Sequence, residues 1–310
     1  MKNIKYIIVR LAFILMITLF VSCNEQNDGI IAYEAIPQTP VGTKLVNNTD
    51  LIATIFSDST YTVTEGLQAT EIYYFSMTGY AMHVFVFEVD LSNPKISIEV
   101  STPNNKNIAG LQAMTVQATY EDMEGHKVWG GVNGSFFNTT TGAINGLLYK
   151  DGGMIQLYTS SYPNFFAVTK DNKAVIADAG SYATIKDNIK EAAAGGVMLV
   201  KNNSVVNQTD VSINPRTCIG VSADQKHAYI FAIDGRNYHY SNGMTYTELG
   251  KCMVALGAEA AMNLDGGGST TFFVRKSPDF ASDRFKIRNW PSDNGGMERE
   301  VGNGIVVISK

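Results

Sequence analysis

The sequence predicts an α+β fold, mainly antiparallel sheets with a few packed helices, on three observations. Apolar residues alternate with a period of two over several short runs, most clearly from Tyr80 to Leu91 (YAMHVFVFEVDL). Turn signals separate such runs at Asp151-Gly152-Gly153, Lys170 to Lys173, Lys201 to Ser204 and Ala223 to Lys226, which is the punctuation of hairpins. Helical signals are few, and one of them is complete. Thr245 and Glu248 form a capping box, Leu249, Cys252, Met253 and Leu256 share one face, and Gly257 supplies the stop.

Residues 1–22 read as a signal peptide rather than as part of the fold. Lys2, Lys5 and Arg10 make a basic start, and Leu11 to Val21 is apolar but shorter than the about 20 residues a membrane span needs. Ser22-Cys23 resembles a lipoprotein cleavage box, with Phe20 where Leu is usual, so Cys23 is expected to carry the lipid and plain secretion is the alternative. Either way the protein is exported. With acyl chains contributing about 0.8 kcal/mol per buried CH₂, a lipidated Cys23 would hold it in the bacterial cell envelope, at the outer membrane or in the periplasm, without a spanning helix. Residues 23–63 are expected to be a tether and N-terminal segment, flexible over Asn24 to Leu51 where Pro37, Pro40 and polar residues dominate. Residues 64–310 are expected to form one domain.

Within it, Tyr80 to Leu91 and the alternating Ile96, Ile98 and Val100 predict a hairpin or meander around Asn93-Pro94. Ala109 to Asp122 reads as a helix, and Val128 to Val132 as a strand leading into Asn133-Gly134-Ser135-Phe136-Phe137-Asn138, with at least one of the two Phe rings in the core. Composition is that of a globular domain, 45% hydrophobic and 17% charged. A net charge of -5 without a cluster of Lys or Arg excludes a nucleic-acid surface, so an anionic ligand must be held by a few placed residues. Cys218 and Cys252 are expected to be buried thiols.

The chemistry concentrates in Asn263 to Thr271 (NLDGGGSTT), between the apolar runs 260–264 and 271–274. Strand, glycines and strand is the wrong order for a phosphate loop, which opens a helix. Gly266, Gly267 and Gly268 allow close approach to the backbone, Asp265 sits beside them, and Ser269 and Thr270 add hydroxyls. Asn133 and Ser135 offer an amide and a hydroxyl beside aromatic rings, a composition suited to a sugar. Arg216 begins an apparent strand, Asp234 ends another and is followed by Gly235 and Arg236, and Asn289 to Glu300 carries Ser292, Asp293, Glu298 and Arg299. The four histidines never take metal-ligand spacing, HExxH and GxSxG are absent, and Ser92 to Lys95 (SNPK) is a turn rather than the helix start its SxxK pattern would require.

Taken in order, GGVNGSFFN (130–138), NGLLYKDG (145–152), NPRTCIGVS (214–222), AIDGR (232–236), SNGMTYTELGKCMVALGAEAAMNLDGGGSTTFFV (241–274) and NWPSD (289–293) resemble the phosphodiester glycosidase family. The likeness covers about 105–310. Cys218 stands where that pattern has Ala, and Trp290 where it has a polar or basic residue. The resemblance implies hydrolysis of the bond between a sugar's anomeric carbon and a phosphodiester oxygen, in a surface or dietary glycan. It makes Asp265 and Asp234 the candidate carboxylates, Arg216 the candidate phosphate grip and Arg236 the second. Asn133, Ser135, Asn263, Ser269 and Thr270 would orient substrate, the backbone of Gly266 to Gly268 would donate N–H groups, Ser292, Asp293 and Arg299 would line the site, and Glu298 would be a spare carboxylate. The resemblance names no certain cofactor, and a Ca²⁺ at Asp265 or Asp293 stays open. The alternatives are a glycoside hydrolase for glycans without phosphate and a carbohydrate-binding lipoprotein without catalysis.

Overall fold

A computed structural model of the chain describes residues 34–280 and 283–310. The predicted signal peptide and Cys23 lie outside those residues. Residues 35–310 form one compact unit. No helix among the described residues is long and apolar enough to cross a membrane.

Among the described residues, eighteen strands make three sheets in which neighbouring strands run antiparallel. The first contains β1 (Ile52–Thr64), β2 (Leu67–Ser76), β3 (Ala81–Asp90), β14 (His227–Ile233), β13 (Arg216–Val221), β15 (Ala260–Asn263), β11 (Met198–Lys201) and β12 (Ser204–Val205), in that spatial order. The second runs β7 (Gly153–Gln156), β6 (Leu148–Lys150), β10 (Ile189–Ala194), β8 (Asn164–Thr169) and β9 (Ala174–Asp178). The third runs β17 (Asp283–Ile287), β16 (Phe272–Phe280), β5 (Lys127–Asn133), β18 (Gly304–Ser309) and β4 (Ile96–Ser101).

The period-two patterns sort side chains between layers. Phe85, Phe87 and Val89 of β3 enter a core shared with Phe166 and Ala193 of the second sheet and Phe272, Ile305 and Val307 of the third. Val84 and Val86 point the other way. There the eight-stranded sheet is covered by α1 (Pro40–Asn48) and α4 (Tyr246–Leu256), whose Val41, Leu45, Leu249, Cys252, Met253 and Leu256 pack on Ile72, Tyr74, Cys218 and Phe231. α2 (Met114–Glu121) covers the outer face of the third sheet through Met114 and Ala118. A single-turn helix, α3 (Tyr182–Ile185), follows β9. Cys218 and Cys252 are both buried and free.

Three local expectations need correction. Residues 35–63 are not a tether. Thr39 caps α1 by accepting from the Gly42 amide at 2.9 Å, and Asp58 of β1 accepts from the amides of Gln38 at 2.8 Å and Thr39 at 2.9 Å. A polar segment therefore folds because its polar groups satisfy one another while Val41 and Leu45 reach the core. β3 and β4 do not pair; the chain changes sheet at Asn93-Pro94, which lets both strands bury apolar residues in the same core. The helix expected from Ala109 starts at Met114, because Gln112 exchanges two backbone hydrogen bonds of 3.1 Å with Val301 and holds the preceding residues extended.

Candidate active site

The capped α4 delivers the chain into β15, and β15 ends at the glycine turn. The next strand, β16, belongs to a different sheet, so the turn carries the chain from one sheet to another and lies over the seam between them. A single 3₁₀ turn spans Gly267–Ser269.

Each glycine has a separate steric reason. A Cβ at Gly266 would sit 2.7 Å from the Pro215 carbonyl oxygen, one at Gly267 would sit 2.9 Å from Arg236 Nη2, and one at Gly268 would sit 1.7 Å from Asp293 Oδ2. Gly267 also has φ of +61°, in the left-handed region. The bare backbone thus admits the protein's own guanidinium and carboxylate against the turn. The N–H groups of Gly266 and Gly267 are used internally, by Asp265 Oδ1 at 2.9 Å and by the Pro215 carbonyl at 2.9 Å, so these two do not await a ligand as expected.

Asp265 is the carboxylate at the centre. Its Oδ2 accepts from Ser269 Oγ at 2.5 Å, and Arg299 Nη2 donates to that same Oγ at 2.6 Å while lying 3.8 Å from the carboxylate. Burial pushes the Asp265 carboxyl above the usual range, opposed by Ser269, Arg299 and the Gly266 amide. Arg299 reaches on to Asp293 Oδ2 at 3.3 Å, and Arg236 donates to Asp293 Oδ1 at 3.0 Å, with Ser292 Oγ also 3.0 Å from Oδ1. Two part-exposed guanidiniums are therefore tied to one carboxylate beside the turn. Arg236 adopts φ of +60°, an uncommon backbone state for a non-glycine residue and a mark of constraint at a site.

Asp234 is nearly sealed from solvent. Its Oδ1 accepts from Asn289 Nδ2 at 2.8 Å and its Oδ2 from the Trp290 amide at 2.7 Å, with Tyr240 beside it. Burial is the largest influence and raises its pKa to about 6. Asn289 Nδ2 also donates to the Thr270 carbonyl at 2.9 Å, and its Oδ1 accepts from the Phe272 amide at 2.7 Å. Asp234 is thus joined to the end of the glycine turn through one amide side chain. It is a bracket within the site rather than a carboxylate open to substrate.

Several residues expected to touch substrate instead hold the turn in place. Asn133 donates to the Asp265 carbonyl oxygen at 2.7 Å and accepts from Thr217 Oγ1 at 2.7 Å and from the Thr271 amide at 3.2 Å. Asn263 accepts from the Val197 amide at 2.6 Å and donates to the Leu264 carbonyl at 3.0 Å. Arg216 lies 3.8 Å over the Tyr246 ring, and its Nη2 and Nε donate to Ser212 at 2.9 Å and Met244 at 3.3 Å. It presents no free fork to a phosphate; Arg236 and Arg299 are the guanidiniums that face the turn. Glu298 is outside the site. It accepts from the Thr115 amide at 3.1 Å and from the Thr115 hydroxyl, capping α2, whose N-cap residue Ala113 has no side chain able to do so.

Three buried polar atoms near the turn have no hydrogen-bond partner: Ser135 Oγ, Thr270 Oγ1 and Asn303 Nδ2. Buried orphans of this kind carry a desolvation cost and mark where water or a ligand group would bind. Asn303 also accepts from the Ser135 amide at 2.9 Å. It was missed in the sequence, as were Asn289, Tyr240 and Tyr246. The lone amide between glycines in Gly302-Asn303-Gly304, and Asn289 at the head of NWPSD, were the available signals.

The group of metal-ligand type among the described residues, Glu99, Asp151 and Glu191, shares no residue with the turn. Asp293 already faces two guanidiniums and Asp265 one, an unfavourable setting for Ca²⁺. The site rests on converging charge rather than on cavity size. A groove of about 690 Å³ bordered by Tyr61, Trp129, Arg275 and Arg288 includes none of the turn residues.

The antiparallel α+β scaffold thus holds a carboxylate and two guanidiniums at a glycine turn between sheets, groups that can serve hydrolysis. The family model described as phosphodiester glycosidase matches residues 126–308, and the chain belongs to that family. The fold is similar to the zebrafish N-acetylglucosamine-1-phosphodiester alpha-N-acetylglucosaminidase catalytic domain auto-inhibited by its pro-peptide, at 18% identity over 86% of each chain with a TM-score of 0.59. It is also similar to a hypothetical protein from Synechocystis, at 13% identity over 82% of this chain and 64% of that one, with a TM-score of 0.60. No curated protein matches the chain significantly.

Proposed function

We propose that the protein hydrolyses a sugar-1-phosphodiester, breaking the bond between the anomeric carbon and the phosphodiester oxygen, in a surface or dietary glycan outside the cytoplasm. Asp265 meets the anomeric carbon, by direct attack or by taking a proton from the attacking water. Arg299 and Arg236 hold the phosphate oxygens, and the departing phosphate monoester needs little help from a general acid, so electrostatic stabilisation carries most of the work. Ser135, Thr270 and Asn303 offer their unpartnered polar atoms to sugar hydroxyls. Asn133, Asn263, Asn289, Asp234 and Arg216 keep this set in register.

The observation that carries the proposal is the Asp265, Ser269 and Arg299 cluster, in which one hydroxyl links a part-buried carboxylate to a guanidinium at hydrogen-bond distance. Such a cluster places a negative group for the carbon and a positive group for the leaving oxygen within one small volume. Export is supported by the basic and apolar character of residues 1–22 and by Cys23, which we propose as the lipid attachment point in the bacterial cell envelope. The test is to assay the purified protein on sugar-1-phosphodiesters and on aryl glycosides of matched leaving-group quality. Turnover of the phosphodiesters alone is expected. Preference for the aryl glycosides would favour a hydrolase for unphosphorylated glycans, and turnover of neither would contradict the proposal.

A further inference from the structure

A row of aromatic rings crosses the surface from the edge of the eight-stranded sheet to Asp234. Phe56 on β1 is 56% exposed and lies 5.1 Å from Tyr73 on β2. Phe75, also exposed, lies 6.5 Å from Phe56. Tyr73 stacks on Tyr240 with planes 22° apart and centroids 6.4 Å apart, and Tyr240 stands beside the Asp234 carboxylate. Glu71 borders the row and is fixed by two hydrogen bonds from Arg288, at 2.6 and 2.8 Å.

We infer that this row is a carbohydrate subsite that takes pyranose rings beyond the reacting sugar, on the side away from the phosphate. The inference rests on the proposed reaction. The two guanidiniums beside the glycine turn direct the anionic part of a substrate to it, whereas the aromatic row leads off from Asp234. Aromatic faces pack against the C–H faces of pyranoses, and the Glu71–Arg288 pair offers a fixed acceptor and donors for hydroxyls at the rim. A part-exposed aromatic run that ends beside Asp234, itself joined to the glycine turn through Asn289, has little reason to stay uncovered in a protein of ordinary composition. Phe56, Glu71, Tyr73 and Phe75 all precede the family-matched residues 126–308, so the outer part of the subsite is supplied by the N-terminal strands, while Tyr240 and Arg288 come from the matched part.

The test compares two substrates with the same phosphate-side group, one carrying a monosaccharide and one a trisaccharide on the sugar side. Phe56→Ala and Tyr73→Ala should raise KM for the trisaccharide substrate roughly tenfold and leave the monosaccharide substrate unchanged. Phe56 is exposed enough that its replacement should leave folding intact, which covers the case of Tyr73→Ala misfolding. Equal losses on both substrates, or no loss on either, would overturn the subsite. Calorimetric titration of wild type and Phe56→Ala with the neutral trisaccharide alone separates this from the reaction itself. If neither phosphodiester is hydrolysed yet the trisaccharide binds wild type and not the variant, the reaction is wrong and the subsite stands. Absence of binding to wild type would overturn it.

Discussion

Asp265 and Arg299 are bound to the same atom: Ser269 Oγ donates to the carboxylate at 2.5 Å and accepts from the guanidinium at 2.6 Å. The hydroxyl keeps the two charges 3.8 Å apart rather than fused in a direct pair. Each therefore retains capacity for a substrate group.

Ser269→Ala removes that link. The Ser269 hydrogen bond lowers the Asp265 pKa against the effect of burial, so its loss should move the acid limb of the pH–rate profile upward. With charge-assisted bonds contributing about 1.5 to 3 kcal/mol, kcat/KM should fall roughly ten- to a hundredfold. An unmoved acid limb would separate Ser269 from Asp265.

Gly268→Ala tests whether the turn is shaped for Asp293. The new Cβ would fall on the Asp293 carboxylate and force it, together with Arg236 and Arg299, out of place. Activity should drop by at least about tenfold, about 1.4 kcal/mol, while the melting temperature changes little. Unchanged kcat/KM would show that the positions of these cations are not needed.

Glu298→Ala is expected to act in the opposite way. Loss of its cap on α2 should cost about 1 kcal/mol of stability, read as a lower denaturation midpoint, with kcat/KM unaltered. A catalytic loss at full stability would restore Glu298 to the site.

Stability should fall as pH rises from about 4 to about 7. Burial raises Asp234 to about 6 and Glu191 to about 7, from ordinary values of 3.8 and 4.5. In that window these two carboxyls make the folded state bind more protons than the unfolded state, which outweighs His83, lowered by burial to about 4 and acting the other way, so raising pH favours unfolding. Glu99, held at about 2 by His126 and Lys190 despite its burial, acts the other way and withdraws its contribution only as pH falls below the ordinary range. Melting curves at pH 5 and 7 should show the higher midpoint at pH 5, and Glu191→Gln should reduce the difference. A higher midpoint at pH 7 would contradict the assignment of these buried carboxyls.

Local signals announced the elements they control. The Thr245–Glu248 capping box formed with both of its hydrogen bonds, Gly257 took the left-handed C-cap, and the hairpin turns at 151–153, 170–173, 201–204 and 223–226 join paired strands. NLDGGGSTT declared a special turn for the same reason, since bare backbone is legible wherever glycines cluster. The polar run before β1 concealed a helix because Thr39 and Asp58 satisfy each other across sequence, which composition does not express. Asn133, Asn263 and Asp234 were legible as site members but not in their roles. Whether an amide faces substrate or clamps the neighbouring loop depends on which strand lies behind it, and that is decided by the pairing of distant strands. Glu298 beside Arg299 shows the same limit: consecutive residues point to different elements, one to the α2 terminus and one to Ser269.

The most direct measurement is kcat/KM of Asp265→Asn on a sugar-1-phosphodiester, taken together with its melting temperature. Asn keeps the shape of the turn and an oxygen for the Gly266 amide but removes the charge. Hydrolysis is expected to be abolished while the melting temperature stays close to that of the wild type. Full activity in Asp265→Asn would contradict the account at its centre.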